Sequence, residues 1–445
     1  MTLAFNRRHF LQASAVGAAG LAFGRFSFAA VDKNSKLRLA AVGTGGKGED
    51  DLRNISASPR VEVVAICDVD DSQGHLGWAA ERFPKAERFS DFRRLLDKAS
   101  TFDAISVSTP DHMHAPIALA AMALGKHVFC QKPLAHTVHE ARLMREVAEK
   151  NKLVTQMGNQ IQSHHAYRNA VKLVHDGAIG KVREVHSWQA GNMGWLIVEK
   201  TPTDGDPVPK SLQWDLWLGV APERPYKERL YHPQNWRAWQ DFSTGQLGDF
   251  GCHILDPVFM ALGLTAPTTI EAEAPALNKD TWAPRSKVEY QFPGTERTAG
   301  ESITVTWYDG AGHKPKKDSL GLPEKYDLPH AGSVLVGEKG SMVIPHWSDP
   351  QLFPEEKFKD HQRPDMGDIN HYTDWAHACL GDGTTHSNFS YAGPLAETVL
   401  LGGIAIRFPK EQLQWDAKSG KFTHHTDANA RLTKEYRKGW EPIAI

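Results

Sequence analysis

The stretch Lys36-Leu37-Arg38-Leu39-Ala40-Ala41-Val42-Gly43-Thr44-Gly45-Gly46-Lys47-Gly48 decides the fold. An apolar, strand-like run ends in a glycine turn in which Gly43, Gly45 and Gly48 satisfy G-x-G-x-x-G, with Gly46 between them. Such glycines permit a tight turn, close approach of a diphosphate to the backbone, and packing of the next helix on the strand. Backbone N–H groups at the start of that helix can bind phosphate. A second apolar run, Val61 to Cys67, ends at Asp68, twenty residues after Gly48. A carboxylate there accepts hydrogen bonds from the adenosine ribose and repels a 2′-phosphate, so NAD is expected rather than NADP.

The alternation continues outward. Ala104 to Ser108 reads as a strand, a helix opens near Pro116 and ends by Gly125, and His127 to Cys130 reads as another strand. Thr137 and Glu140 match a capping box ahead of an apolar face built from Ala141, Met144, Val147 and Ala148. Residues 31–155 are therefore expected to form a doubly wound parallel sheet of the Rossmann type. Ligands of such sheets bind beyond the strand C-termini, where Gly45, Asp68, Thr109, Pro110 and Gln131 fall, and Asn159 is expected close to the nicotinamide.

Residues 156–445 read as a second α/β domain with an open, mostly antiparallel sheet. A helix is expected over Tyr167–His175, stopped by Gly177, and strands over Val182–Trp188 and Glu301–Tyr308. Val334–Val336 and Met342–Ile344 flank Gly-Glu-Lys-Gly as a hairpin would. Long polar loops are expected at 191–213, 309–330 and 345–370, a length that usually marks function or an interface.

At 445 residues the chain has room for two or three domains, and 51 basic against 53 acidic residues argue against nucleic acid as a partner. Residues 1–30 read as a twin-arginine signal peptide. Arg7-Arg8 precede Phe10-Leu11, the apolar stretch Ala13–Phe23 is too short for a span of about 20 residues, and Ser27-Phe28-Ala29 offers a cleavage site. No cysteine stands there to carry a lipid, so no stable membrane anchor is expected. Cys67, Cys130, Cys252 and Cys379 form no CxxC pair, with a Cys67–Cys130 bridge the one disulfide to consider. The histidine pairs (His112 and His114, His136 and His139, His164 and His165) have no metal-ligand spacing, so no metal is expected.

The segment Ser108–Ala135 resembles the glucose–fructose oxidoreductase/inositol dehydrogenase (Gfo/Idh/MocA) family, whose signature Glu-Lys-Pro appears here as Gln131-Lys132-Pro133. The resemblance implies that Lys132 is the catalytic lysine, that the peptide before Pro133 is cis, and that His114 lies by the cofactor. Gln131 is a departure, a neutral amide where the family carries a carboxylate. Gly245-Gln246-Leu247-Gly248-Asp249-Phe250-Gly251-Cys252-His253 resembles the family's second element, a glycine followed by D-x-x-x-H. Asp249 and His253, four apart, share one face if that element is helical.

Oxidation of a secondary alcohol needs a group to take the hydroxyl proton, a task that suits histidine. His253 is thus expected to be the acid/base and Lys132 the cation that stabilises the substrate oxygen, or the reverse, with Asp249 binding a second hydroxyl or orienting the pair. Trp236 and Arg237 are expected to contact a sugar-like substrate. Export implies a periplasmic location without a free nicotinamide pool, hence a tightly held NAD(P) recycled in place. The expected function is an NAD(P)-dependent oxidoreductase acting on a sugar, polyol or derivative. The alternatives are a redox-neutral NAD-dependent glycosidase or lyase and a non-catalytic sugar-binding protein. The resemblance also implies a homodimer or homotetramer.

Overall fold

The computed structural model describes residues 35–191 and 201–441, so the twin-arginine segment and part of the first long loop lie outside the described residues. Strands β1 (Leu37–Val42), β2 (Val61–Cys67), β3 (Glu87–Phe89), β4 (Ala104–Val107), β5 (His127–Cys130) and β6 (Thr155–Met157) form one sheet. Its order is β3-β2-β1-β4-β5-β6, and every neighbour pair is parallel. Helices cover such a sheet on both faces, which is why β1 and β4 read as near-continuous apolar runs. The strand order reverses between β1 and β4, and that switch point opens the crevice in which doubly wound sheets bind ligands.

The glycine turn behaves as its spacing requires. Gly43 takes φ +80°, and a Cβ at Gly48 would fall 2.1 Å from the Gly43 carbonyl oxygen. The third glycine thus lets helix Lys47–Ile55 rest on the turn. One residue of that helix, Asp51, is fully buried and ties three segments together. Its Oδ2 accepts from Ser108 Oγ after β4 and from Gln131 Nε2 after β5, each at 2.8 Å, while Lys47 Nζ lies 2.8 Å from Oδ1. This arrangement explains the departure at Gln131: an amide donates to the buried carboxylate where a second carboxylate would repel it.

The second sheet has nine strands: β7 (Val182–Gln189), β8 (Thr269–Glu273), β9 (Ser286–Pro293), β10 (Ser302–Asp309), β11 (Ala331–Gly337), β12 (Ser341–Pro345), β13 (Gln351–Phe353), β14 (Leu413–Asp416) and β15 (Lys421–Phe422). The order is β13-β12-β11-β7-β10-β9-β8-β14-β15, antiparallel throughout except for the parallel pair β7–β10. The 334–344 hairpin is β11–β12. Helix Phe389–Ala405 packs against both Val138–Asn151 of the first half and Gly245–Ile254 of the second, and so links the two sheets. Its close approach depends on Gly402, where a Cβ would meet the Tyr290 hydroxyl at 1.9 Å.

Several local expectations need adjustment. The helix expected at Tyr167 begins at His165, because His164 caps it by accepting from the Ala166 N–H. The 345–370 segment is not all loop: it contains β13 and a helical turn at Glu355–Phe358. Cys67 and Cys130 are free and buried, so the disulfide considered between them does not form. The Thr137–Glu140 capping box is present with both reciprocal hydrogen bonds.

The Asp51 node generates a prediction. Gln131→Glu sets two buried carboxylates against each other and should cost about 3 kcal/mol in stability. Adding Asp51→Asn restores a donor–acceptor pair and should recover most of that loss, read by urea unfolding of the single and double variants.

Candidate active site

The crevice at the C-terminal ends of the parallel strands is a cavity of about 680 Å³. One wall is the nucleotide-binding half, with Gly43, Gly45, Gly46, Asp68, Thr109 and Pro110. Gln131 and Lys132 follow β5 onto its floor, and the Lys132–Pro133 peptide is cis. The opposite wall carries Trp236, Arg237, Asp249 and His253. Residues more than a hundred positions apart in sequence therefore meet across one cleft.

Asp249 and His253 lie on helix Gly245–Ile254, and their four-residue spacing sets both on the cleft face. Lys132 Nζ donates to the Asp249 carbonyl oxygen at 2.7 Å and is ion-paired with the Asp249 carboxylate. Arg237 Nε stands 3.6 Å from the other carboxylate oxygen, and its guanidinium stacks over the Trp236 ring at 4.4 Å. Burial alone would raise the Asp249 carboxyl, but Lys132 and Arg237 outweigh it and hold it below the usual carboxylate range. Burial, reinforced by the Lys132 ammonium, pushes the His253 imidazole well below its ordinary value. His253 is thus neutral near pH 7 beside a paired cation. Its Nδ1 is sealed from solvent with no hydrogen-bond partner among the described residues.

The turn and Asp68 fit a dinucleotide. No side chain caps helix Lys47–Ile55, and a Cβ at Gly46 would meet nothing within 4 Å, so the start of the helix is open to the approach of a diphosphate. Asp68 Oδ2 accepts from the Thr44 N–H at 2.7 Å and Oδ1 from the Asp70 N–H at 3.0 Å, which fixes the carboxylate at the cleft edge.

Three expected cofactor contacts are placed behind the wall instead. Gly48 packs on Gly43. His114 bridges the Pro133 and Thr109 carbonyl oxygens, both at 2.8 Å, and so clamps the loops after β4 and β5. Asn159 is fully buried and donates to Asp256 Oδ2 at 2.8 Å, while the adjacent Gln160 reaches the cleft.

Other cleft residues were not singled out from the sequence. Lys47 lines the cleft within the glycine stretch itself, where a cation beside three glycines was a usable signal. Phe92 and Trp440 come together at the nucleotide end from opposite ends of the chain, their rings 6.3 Å apart. His346 lies 5.9 Å, centroid to centroid, from His253 and bonds the Tyr167 hydroxyl at 2.8 Å; burial, with Lys132, pushes its imidazole down to about 4. Among the described residues, two groups of metal-ligand type also assemble, Asp70 with His75 and His232, and His164 with His165 and Asp368. None of these associations has a sequence spacing that announces it.

Comparison with known proteins agrees with this fold. A family described as "Oxidoreductase family, NAD-binding Rossmann fold" matches residues 37–159. Its companion, "Oxidoreductase family, C-terminal alpha/beta domain", matches residues 164–301, and the two together span more than half of the chain. Levoglucosan dehydrogenase from Pseudarthrobacter phenanthrenivorans is 35% identical over 178 residues, 40% of this chain and 37% of that protein. Inositol 2-dehydrogenase from Salmonella paratyphi B is 30% identical over 153 residues, 34% of this chain and 45% of that protein. The matched region thus spans less than half the length of either curated relative. The WlbA dehydrogenase from Bordetella pertussis, solved with NADH and UDP-GlcNAcA, shares the fold with a TM-score of 0.60 at 15% identity, over 86% of this chain and 99% of that one. With a glycine cradle and acid-ended β2 on one wall, and the lysine and D-x-x-x-H pair converging from both halves, the chain belongs to the Gfo/Idh/MocA oxidoreductase family.

Proposed function

We propose that this protein is an NAD-dependent oxidoreductase that acts on a secondary hydroxyl of a sugar, polyol or sugar derivative. The observation that carries the reading is the convergence of Lys132, Asp249 and neutral His253 on the cleft that holds the glycine cradle. When bound, NAD supplies the hydride acceptor. The residues of the chain handle the proton and the charge. His253, uncharged at neutral pH, takes the hydroxyl proton as the C–H hydride departs, and returns it in the reverse direction. Lys132, ion-paired with Asp249, stabilises charge developing on the substrate oxygen. Arg237 and Trp236 form the adjoining wall, where a guanidinium and an aromatic face suit sugar hydroxyls and C–H faces.

The proposal includes export through the twin-arginine pathway to the periplasm, supported by Arg7-Arg8 and the short apolar stretch behind them. No helix of the described residues is long and apolar enough to cross a membrane. A compartment without a nicotinamide pool requires a retained cofactor, and a homo-oligomer, dimer or tetramer, completes the reading.

Denaturing the purified protein should release NAD(H), at close to one per chain, identified by mass spectrometry. NADP(H) in its place would overturn the role given to Asp68, and no nucleotide at all would overturn the retained cofactor. With a substrate in hand, Lys132→Met should lower kcat by about 10²–10³, the loss expected for one oxyanion-stabilising group, while NAD stays bound. Unchanged turnover would sink the assignment. A keto product separates net oxidation from redox-neutral bond cleavage.

The His253 environment sets a pH prediction. A lowered imidazole stays neutral as the pH falls through 6.5 and protonates only further down. Removing the Lys132 cation favours the imidazolium, so in Lys132→Met the His253 titration moves up toward 6.5. Proton NMR of the histidine ring, followed from pH 8 to 4, reads both.

A further inference from the structure

A second set of polar groups occupies the nucleotide end of the cleft and has no part in the chemistry above. Asp70, two residues beyond Asp68, faces His75 from the segment Gln73–Gly77 and His232 from the opposite wall. Asp70 Oδ2 is 2.9 Å from His232 Nε2 and 3.7 Å from His75 Nε2, and one donor atom from each residue lies within 4.8 Å of the others. An ion about 2.1 Å from each donor in tetrahedral geometry needs donors about 3.4 Å apart, a value that the two measured separations bracket. The rings of His75 and His232 are 4.9 Å apart and tilted by 39°, so they converge on the carboxylate without stacking on each other.

The donors are also held from behind. His75 Nδ1 turns toward Asp68, 3.7 Å from Oδ2, while its Nε2 points at Asp70. A carboxylate behind a metal-binding imidazole is the usual means of fixing its orientation and raising its basicity. Asp70 Oδ1 accepts from the Ser72 N–H at 2.9 Å, which leaves Oδ2 for the pair of imidazoles. Two segments distant in sequence supply these donors, one with Asp70 and His75 and the other with His232, and none of the three takes part in the Lys132–Asp249 pairing. His75 and His232 line the cleft, so coordination positions beyond the three protein donors open into it.

We infer that Asp70, His75 and His232 form a binding site for a divalent transition-metal ion, with zinc the best match to two imidazole nitrogens and one carboxylate oxygen. Calcium and magnesium prefer all-oxygen shells and are excluded by the same donor set. His75 sits directly on the glycine turn, for a Cβ at Gly45 would fall 2.1 Å from its Nδ1. An ion held there stands beside the backbone that cradles the dinucleotide, and its open positions can take an oxygen of that cofactor. This second part rests on the dinucleotide reading above; the metal site itself does not.

The test uses the full chain, stripped of nucleotide and metal. Titration with Co²⁺, followed by its visible absorption, and with Zn²⁺ by calorimetry should give one site that Mg²⁺ and Ca²⁺ do not fill. His75→Asn and Asp70→Asn should each lower Zn²⁺ affinity by more than tenfold, and Asp68→Asn by about 10–100-fold, as expected for loss of the group behind a ligand. Because Asp70 is buried and its variant can fail for structural reasons, His75→Asn is the deciding one, with its melting temperature measured in parallel. His165→Asn, in the other donor group, should leave the site intact. Absence of one-to-one binding, or equal affinity in His75→Asn and the parent, overturns the site. NAD affinity is then measured with and without Zn²⁺. A gain of tenfold or more that vanishes in His75→Asn supports cofactor clamping, and equal affinity overturns the clamp alone. Failure to bind NAD under either condition overturns the proposed function and leaves the metal result standing.

Discussion

The ion pair between Lys132 and Asp249 is the contact on which the cleft depends. It joins the end of β5 in the parallel sheet to a helix of the second half, and both partners are largely shielded from water. A buried charge left alone is costly, and breaking such a pair by removing one partner typically costs about 3–5 kcal/mol. Neither half can therefore withdraw from the other without exposing or orphaning a charge. The pair also prepares the site electrostatically: it keeps an ammonium beside His253, and that ammonium, with burial, keeps the imidazole neutral.

The rest of the architecture brings these two residues into register. Helix Phe389–Ala405 packs against a helix of each half, and Phe389 and Ser387 bond to Thr155 and Met157 in β6. Asp51 binds the helix after the glycine turn to the residues that follow β4 and β5. It thereby couples the cradle for a diphosphate to the lysine that faces the substrate. A departure from the family signature at Gln131 and a buried Asp51 are one feature, since each is the hydrogen-bond partner of the other.

The aromatic residues after position 210 divide along similar lines. Trp239, Tyr231 and Phe242 build a satellite core under the loops, while Trp217 and Trp236, part of the same core, also line the cleft, Trp236 with Arg237 stacked on it. A single sequence cannot make that distinction, because stacking on a sugar and stacking in a core demand the same residue type. Histidine presents the same ambiguity: His114 clamps two backbone carbonyls, His346 bonds a tyrosine, and His75 and His232 turn to a shared carboxylate.

What the sequence determined by itself is local and periodic. The glycine spacing, the acid that ends β2, strand–helix alternation, the capping box and the four-residue step from Asp249 to His253 all follow from interactions within one turn, strand or helix. Those interactions specify the doubly wound sheet and name the chemistry-bearing residues. The tertiary structure alone decided what depends on contacts between distant segments. It set His114 and Asn159 behind the cleft wall, gave Gln131 its partner, and brought His232 to Asp70 and His75 from more than 150 residues away. The physical reason is that a side chain's role is set by what desolvates and pairs with it, and those partners are chosen by the packing of whole elements, which leaves no periodicity along the chain.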